Sequence, residues 1–372
     1  MKNNSNETIP LARPDISERD IAEVVRVLRT GMLVQGEEVL LLENAISQFL
    51  KKEYCSAVSS GTAALHLALL ALGIGQGDEV IIPALSHVST ANVVELTGAK
   101  CVFVDTHQRY FNIDESKIRS FITDKTKAII PVHEFGLCAN MPEIMKIKEE
   151  FSIKIIEDAA CALGATIGNK TAGTFGDYGC FSLHPRKAIT SGEGGIMITA
   201  DPVLDKRIKT MRNHGVEPES APMNFIAAGF NYRLTDFQAA LVRSQFKRLP
   251  EILEHKTHLA EVYLNEIKNP LVGLPLFPAN TKHSWQTFHL LLETVTKRNE
   301  LAMHLKENGI MTNYGAQCIP AMQYYREKYH HDILNKFPNA YHAYTCGLAV
   351  PLYGQLKKEQ VSFIARVINN FR

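Results

Sequence analysis

Between residues 55 and 199, short apolar runs alternate with amphipathic stretches, and this alternation restricts what the chain can fold into more than any other feature. CSAVSS leads into TAALHLALLAL, VIIPAL into STANVVELTG, CVFVD into ESKIRSFI, AIIPVH into MPEIMKIKEEF, and KIIED into AACALGA. Each run has the length of a strand, and each following segment has helical spacing. Strands apolar along their whole length need cover on both faces. The pattern therefore predicts βαβ units and an α/β fold, with a mostly parallel central sheet flanked by helices. Open sheets of this kind bind ligands beyond the carboxyl ends of their strands. Ser60, Gly61, Thr62, His87, His133, Asp158, Ser182 and Lys187 all fall at or just past the ends of such runs.

Near residue 200 the pattern changes. DPVLDKRIKTMRNHG reads as a helix, and the stretch from Met223 to Ile267 carries an irregular loop into long helices. Beyond Pro270 come a strand-like HSWQTFHLLL, the helix TKRNELAMHLKENG, another strand around Ile310 to Tyr314, and a closing helix KKEQVSFIARVINNF. These predict a large domain over 1–250 and a smaller C-terminal α+β domain over 251–372, which suits a chain of 372 residues.

With 45% hydrophobic and 21% charged residues and a formal charge of +1, the chain offers no basic field for nucleic acid or a membrane surface. Any anionic ligand must be held by local geometry. The seven cysteines, Cys55, Cys101, Cys138, Cys161, Cys180, Cys318 and Cys346, have no CxxC pair and no metal-ligand spacing. They read as reduced thiols of a cytoplasmic protein. The opening MKNNSNETIP lacks the apolar core of a signal peptide, and no run is long enough to span a bilayer.

Asp158 closes KIIED, and Lys187 lies in CFSLHPRKAITSGEGGIMIT about thirty residues later. An acid and a lysine at neighbouring strand ends can hold a pyridine ring. The carboxylate keeps the ring nitrogen protonated, and the amine holds the ring's aldehyde as a Schiff base. Together they point to pyridoxal 5'-phosphate. A free lysine, with a pKa of ~10.4, is a poor base at neutral pH; one displaced as a neutral amine beside the substrate carbon can move a proton. Glu157 should face away from Asp158 by strand alternation. In Ser59-Ser60-Gly61-Thr62-Ala63 a strand turns into a helix, which makes either a phosphate cradle or a simple N-cap by Ser60 or Thr62. Ser182 is a second candidate for the phosphate. GFNYRLTD sets Asn231, Tyr232 and Arg233 in an otherwise apolar passage, while GIGQGD precedes a strand and reads as a turn.

SGTAALHLALLALGIGQGDEVIIPALS, IIEDAACALGA, GTFGDYGCFSLHPRKAITSGEGG and FNYRLTDFQAAL, in this order, resemble the sugar aminotransferases of the DegT/DnrJ/StrS type, from about residue 10 to the end. The resemblance implies the aspartate-aminotransferase-like fold called fold type I, and a homodimer with active sites at the subunit interface. It implies Lys187 as the Schiff-base lysine and Asp158 as the pyridinium partner. Gly61, Thr62 and Ser182 become phosphate ligands, Asn231 reaches the phosphate in the neighbouring subunit, and His87 stacks on the ring. Two positions depart from the family: Cys161 stands where Gln or His bonds the ring oxygen, and His87 where Phe, Tyr or Trp is usual. The implied reaction is ping-pong transamination from glutamate to a keto sugar, first of all a nucleotide-linked 4-keto-6-deoxy sugar, for amino sugar and polysaccharide biosynthesis. His184, Arg186, Tyr314 and Gln317 are candidates to line the acceptor pocket. Alternatives are a sugar dehydrase, whose lysine is replaced by histidine in such relatives, and a catalytically silent regulatory or interaction protein, which would lose Lys187 or Asp158. Both residues are present.

Overall fold

The computed structural model describes residues 8–372, so most of the polar opening stretch, residues 1–7, lies outside the described residues. A seven-stranded sheet forms the centre. Its strands in chain order are β1 (Tyr54–Val58), β2 (Glu79–Pro83), β3 (Lys100–Val104), β4 (Thr126–Ile129), β5 (Lys154–Asp158), β6 (Tyr178–Ser182) and β7 (Gly195–Thr199), and their spatial order is β1-β7-β6-β5-β4-β2-β3. The contiguous run from β6 to β3 is parallel throughout. β7 runs antiparallel to both its neighbours, β6 and β1. The expected α/β architecture with a mostly parallel sheet is present, with one reversed strand near an edge.

Burial explains the apolar runs. Every residue of β2 and β7 is buried, and neighbours alternate between faces. Val80 and Ile82 enter one core while Ile81 enters another, as the twofold period of a strand requires. Helices α1 (Glu18–Thr30), α2 (Glu37–Leu50), α3 (Gly61–Ala71), α4 (Ser89–Leu96) and α5 (Met141–Phe151) precede β5, and α6 (Pro202–Arg212), α7 (Asp236–Phe246) and α8 (Leu249–Glu266) follow β7. α3 and α4 pack on one face through Leu65, Leu67, Val93 and Val94. α2 and α7 cover part of the other through Leu42, Ile46, Ala239 and Val242.

A second, smaller sheet is antiparallel, made of β8 (Val272–Gly273), β9 (Phe288–Leu292) and β10 (Gly347–Val350). It packs against α8, α9 (Val295–Glu307) and α10 (Lys358–Asn369) through Tyr263, Phe288, Leu301 and Ile364. α8 bridges the two cores. Its Leu249, Ile252 and Leu253 belong to the first, and its Leu259 and Tyr263 to the second. Ile9 joins the second core, while Tyr325 and Phe337 return to pack under the main sheet.

Two local expectations are corrected. AACALGA after β5 is a succession of turns, not a helix: Ala162 and Ala165 donate to the carbonyls three residues back, and Gly164 at φ +83° breaks the run. Ile310 to Tyr314 is not a strand. Ile310 makes a single bridge to Ile9 and Asn313 one to Ala349, and the next short strand is Gln317–Cys318, paired with Leu85–Ser86.

Candidate active site

A cavity of about 450 Å³ opens at the carboxyl ends of β5, β6 and the strands beside them. Gly61, Thr62, His87, Asp158, Cys161, Ser182, His184, Arg186 and Lys187 all line it. Residues spread over 127 positions of sequence therefore meet in one place, because parallel strands deliver their ends to one edge.

Asp158 is 4% exposed and ends β5, where it pairs with Cys180 of β6 and bridges to Val132 beyond β4. Its Oδ2 accepts a hydrogen bond from Thr90 Oγ1 at 2.9 Å, and its Oδ1 accepts from the Ala160 amide at 3.2 Å. Thr90 gives its proton to Asp158, so Ser86, 3.0 Å away, donates to Thr90 in turn. This relay through Thr90 of α4 fixes the orientation of the carboxylate.

Glu157 points the other way and is fully buried. It accepts from the amides of Gly173, Phe175 and Gly176 at 2.7, 2.6 and 2.7 Å and pairs with His133 Nε2 at 2.9 Å. His133 is thereby committed to structure. Its Nδ1 accepts from the Ala139 amide at 3.1 Å and it does not line the cavity, although its place at a strand end suggested otherwise.

Lys187 sits in a loop closed by its own amide on the His184 carbonyl and by Ser191 on Leu183. Its Nζ reaches Cys161 Sγ at 3.1 Å. Burial raises the Cys161 thiol above its ordinary value, and the Lys187 charge offsets part of that rise. Such a thiol stays protonated and is a weak hydrogen-bond partner. A second lysine, Lys256 on α8, is buried against the same loop, and it lines a small cleft with Cys161, Ser182 and Lys187. Burial pulls its pKa down to about 8.

At the β1–α3 turn both readings of the sequence hold together. Ser60 caps α3, accepting from Ala63 at 3.0 Å, while Gly61 and Thr62 face the cavity. A Cβ on Gly61 would lie 3.0 Å from Ser182 Cβ, so glycine leaves the first turn of the helix open to an anion. His87 is exposed at the mouth, its Nδ1 fixed as an acceptor by the Ser89 amide at 3.2 Å. The passage holding Asn231 to Arg233 runs beside β1, with the Tyr232 carbonyl accepting from Ser59 at 2.8 Å. Asn231 itself is exposed and outside the cavity. Tyr314 and Gln317 also lie off its wall and bond to each other at 2.9 Å; the wall there is Gly315 and Ala316.

Several lining residues were not singled out from sequence: Glu134, Glu193, Gln286 and Thr287. Glu134 is 6% exposed, its Oε2 has no hydrogen-bond partner, and burial, aided by the nearby Asp158 charge, pushes its pKa up to about 8. The residues fit pyridoxal phosphate. An open helix N-terminus beside Ser182 suits the phosphate, a fixed carboxylate suits the ring nitrogen, and the Lys187 amine lines the same cavity.

The DegT/DnrJ/EryC1/StrS aminotransferase family matches residues 14–371. The GDP-perosamine synthase of Escherichia coli O157:H7 is 34% identical over 364 residues, 98% of each chain. The UDP-4-amino-4-deoxy-L-arabinose–oxoglutarate aminotransferase of Shewanella sediminis (strain HAW-EB3) is 34% identical over 382 residues, again 98% of each. Spr1654 of Streptococcus pneumoniae, solved in its PLP form, superposes with a TM-score of 0.92 at 28% identity, covering 98% of both chains.

Proposed function

The chain belongs to the DegT/DnrJ/EryC1/StrS aminotransferase family, and on that premise we propose that it moves an amino group from glutamate to the keto carbon of a nucleotide-linked sugar. It is a pyridoxal-phosphate-dependent aminotransferase. The observation that carries the reading is the approach of Lys187 and Asp158 within one cavity that also holds an anion-ready helix start. Bound there, pyridoxal phosphate supplies an aldehyde and an electron-withdrawing ring.

The chain's own groups do the rest. Gly61, Thr62 and Ser182 bind the phosphate, and Asp158, aligned by Thr90, holds a proton on the ring nitrogen. Lys187 carries the proton to and from the substrate carbon in both half-reactions. His87 packs at the mouth and excludes water from the ring. Glutamate as donor is supported by the name of the Shewanella relative, which pairs an amino sugar with oxoglutarate. A nucleotide-linked sugar as acceptor is supported by both relatives' names, which carry GDP in one case and UDP in the other. A 4-keto-6-deoxy sugar is the first acceptor to try, with Arg186 and His184 placed to meet its anionic and hydroxyl groups.

A homodimer is supported by exposed apolar side chains on two segments, Met32, Leu33 and Val34 before α2 and Met223, Phe225 and Ile226 before α7. Exposed Asn231 lies just beyond the second segment and would reach a phosphate in the neighbouring subunit. Among the described residues no helix is long and apolar enough to cross a membrane, and all seven cysteines are free thiols, which supports a reducing, cytoplasmic setting.

The test is the visible spectrum of the purified protein with pyridoxal phosphate, then with glutamate, for the native chain and Lys187→Ala. We expect a yellow native protein bleached by glutamate and a variant lacking the yellow band. Native protein that takes up no cofactor would overturn the reading.

A further inference from the structure

Glu134 is a buried acid of the cavity wall with no assigned task. It lies in the turn after β4, two residues past Val132, whose backbone bridges to Asp158. The turn is held hard. The Glu134 amide donates to Asn112 Oδ1 at 2.8 Å, Phe135 adopts φ +56° and Gly136 φ +101°, and a Cβ on Gly136 would meet Ser284 Oγ at 2.3 Å. The segment before β9 clamps it from outside, with Ser284 donating to the Gly136 carbonyl at 2.9 Å and Thr287 to the Phe135 carbonyl at 3.2 Å. Backbone strain kept in place by so many contacts is a mark of functional presentation. What it presents is a buried carboxyl with one oxygen left without a partner. Among buried polar groups that is costly unless a ligand completes the hydrogen bond.

Strand order says which ligand atom is available. The phosphate anchors, Gly61 and Ser182, sit over the β1–β7–β6 side of the sheet, Asp158 ends β5, and Glu134 lies one strand further, past β4. Pyridoxal phosphate carries its phosphate arm on one side of the axis from ring nitrogen to aldehyde carbon, and its ring hydroxyl and a methyl on the other. With its phosphate over β6 and its nitrogen at Asp158, bound pyridoxal phosphate would turn its hydroxyl side toward β4. A methyl would leave the carboxyl unsatisfied; an electron-rich oxygen would complete it. Cys161 is poorly suited to that task, since its thiol is a weak donor and its sulfur already accepts from Lys187.

We propose that Glu134, as a neutral carboxylic acid, donates a hydrogen bond to the ring hydroxyl oxygen of bound pyridoxal phosphate and so tunes the basicity of the Lys187 nitrogen joined to it. The inference rests on the cofactor reading above. A pKa pushed up to about 8 keeps the donor proton in place at neutral pH. The other titratable or charged groups in the cavity wall are Asp158 from β5, Cys161 from the turn after it, His184, Arg186 and Lys187 from the loop after β6, His87 at the mouth and Glu193 before β7. Asp158 raises the Glu134 pKa and Lys187 lowers it. A donor to the ring oxygen draws electron density from the conjugated nitrogen, and its loss makes that nitrogen hold its proton to higher pH.

The experiment uses the holoenzyme in native form and as Glu134→Leu and Glu134→Gln, reading the pH midpoint of the yellow band and the affinity for pyridoxal phosphate. For Glu134→Leu the midpoint is expected to rise by about one pH unit and the affinity to fall about tenfold. Glu134→Gln keeps an N–H donor and is expected to match the native midpoint and bind cofactor within about twofold. Leu and native proteins with the same midpoint and affinity would overturn the proposal. So would a Gln variant whose midpoint rises as far as that expected of Leu, which keeps the test decisive if the Leu variant does not fold. Native protein that never turns yellow would instead sink the cofactor reading itself.

Discussion

Glu157 and Asp158 are consecutive residues of one strand, both carboxylic and both buried, yet their surroundings have opposite purposes. Glu157 is saturated, with three backbone amides and His133 around its two oxygens. Asp158 has two partners and a face left to the cavity. One residue of strand period separates a structural acid from a chemical one. The contrast teaches that burial alone does not mark a functional acid at this edge; unfinished hydrogen bonding does, and by that measure Glu134 stands with Asp158 and not with Glu157.

The sharpest way to break the contrast is Glu157→Gln. It removes the charge from a sealed network and turns an N–H group toward amides that need an acceptor. It should cost about 3–5 kcal/mol in urea unfolding while the folded fraction keeps its turnover. Asp158→Asn should do the reverse, lowering transamination about 10²-fold or more with unfolding changed little, as steady-state rates beside urea curves would reveal. Equal effects of both on stability would erase the distinction. Gly136→Ala probes the turn that presents Glu134. With φ +101° and Ser284 Oγ 2.3 Å from the new carbon, it should lose about 1–3 kcal/mol of stability.

Per pH unit, the smallest effect is a slope in stability. Glu134 has a folded pKa of about 8 against an ordinary 4.5, so between those values the folded state keeps a proton that the unfolded state has lost. Its stabilising contribution is whole below about 4.5 and disappears as pH rises through about 8, giving a fall of up to about 1.4 kcal/mol per pH unit. Glu134→Gln should flatten that part of the stability curve, measured by urea unfolding across the range. An unchanged slope would return Glu134 to the company of Glu157.

The sheet and much of the cavity were legible because periodicity fixes where strands end and parallel strands deliver their ends to one edge. Lys187, Asp158, Ser182, Gly61, Thr62, His87, Cys161, His184 and Arg186 follow from that logic and from the family resemblance, and all reach the cavity. His133 shows its limit. Being at a strand end does not say which face a side chain takes, and His133 takes the sealed one. Glu134 left a signal, an acid inside the apolar stretch from Ala128 to Leu137, but only the unpartnered oxygen gives it meaning. Lys256, Gln286 and Thr287 left none. Lys256 reads as one more charge on an amphipathic helix, and its burial beside Lys187 depends on how α8 crosses between two cores. Asn231, Tyr314 and Gln317 stand outside the cavity; none of them follows a strand of the main sheet, so the logic of strand ends does not place them.

Two lysines thus lie beside the candidate cofactor cavity, Lys187 on its wall and Lys256 in the adjoining cleft, and only one of them can hold the cofactor. Borohydride reduction of the yellow holoenzyme fixes the cofactor to whichever amine carries it, and peptide mass mapping then reads the residue. The account predicts the added phosphopyridoxyl mass on Lys187 alone; the same mass on Lys256 with Lys187 unmodified would contradict it.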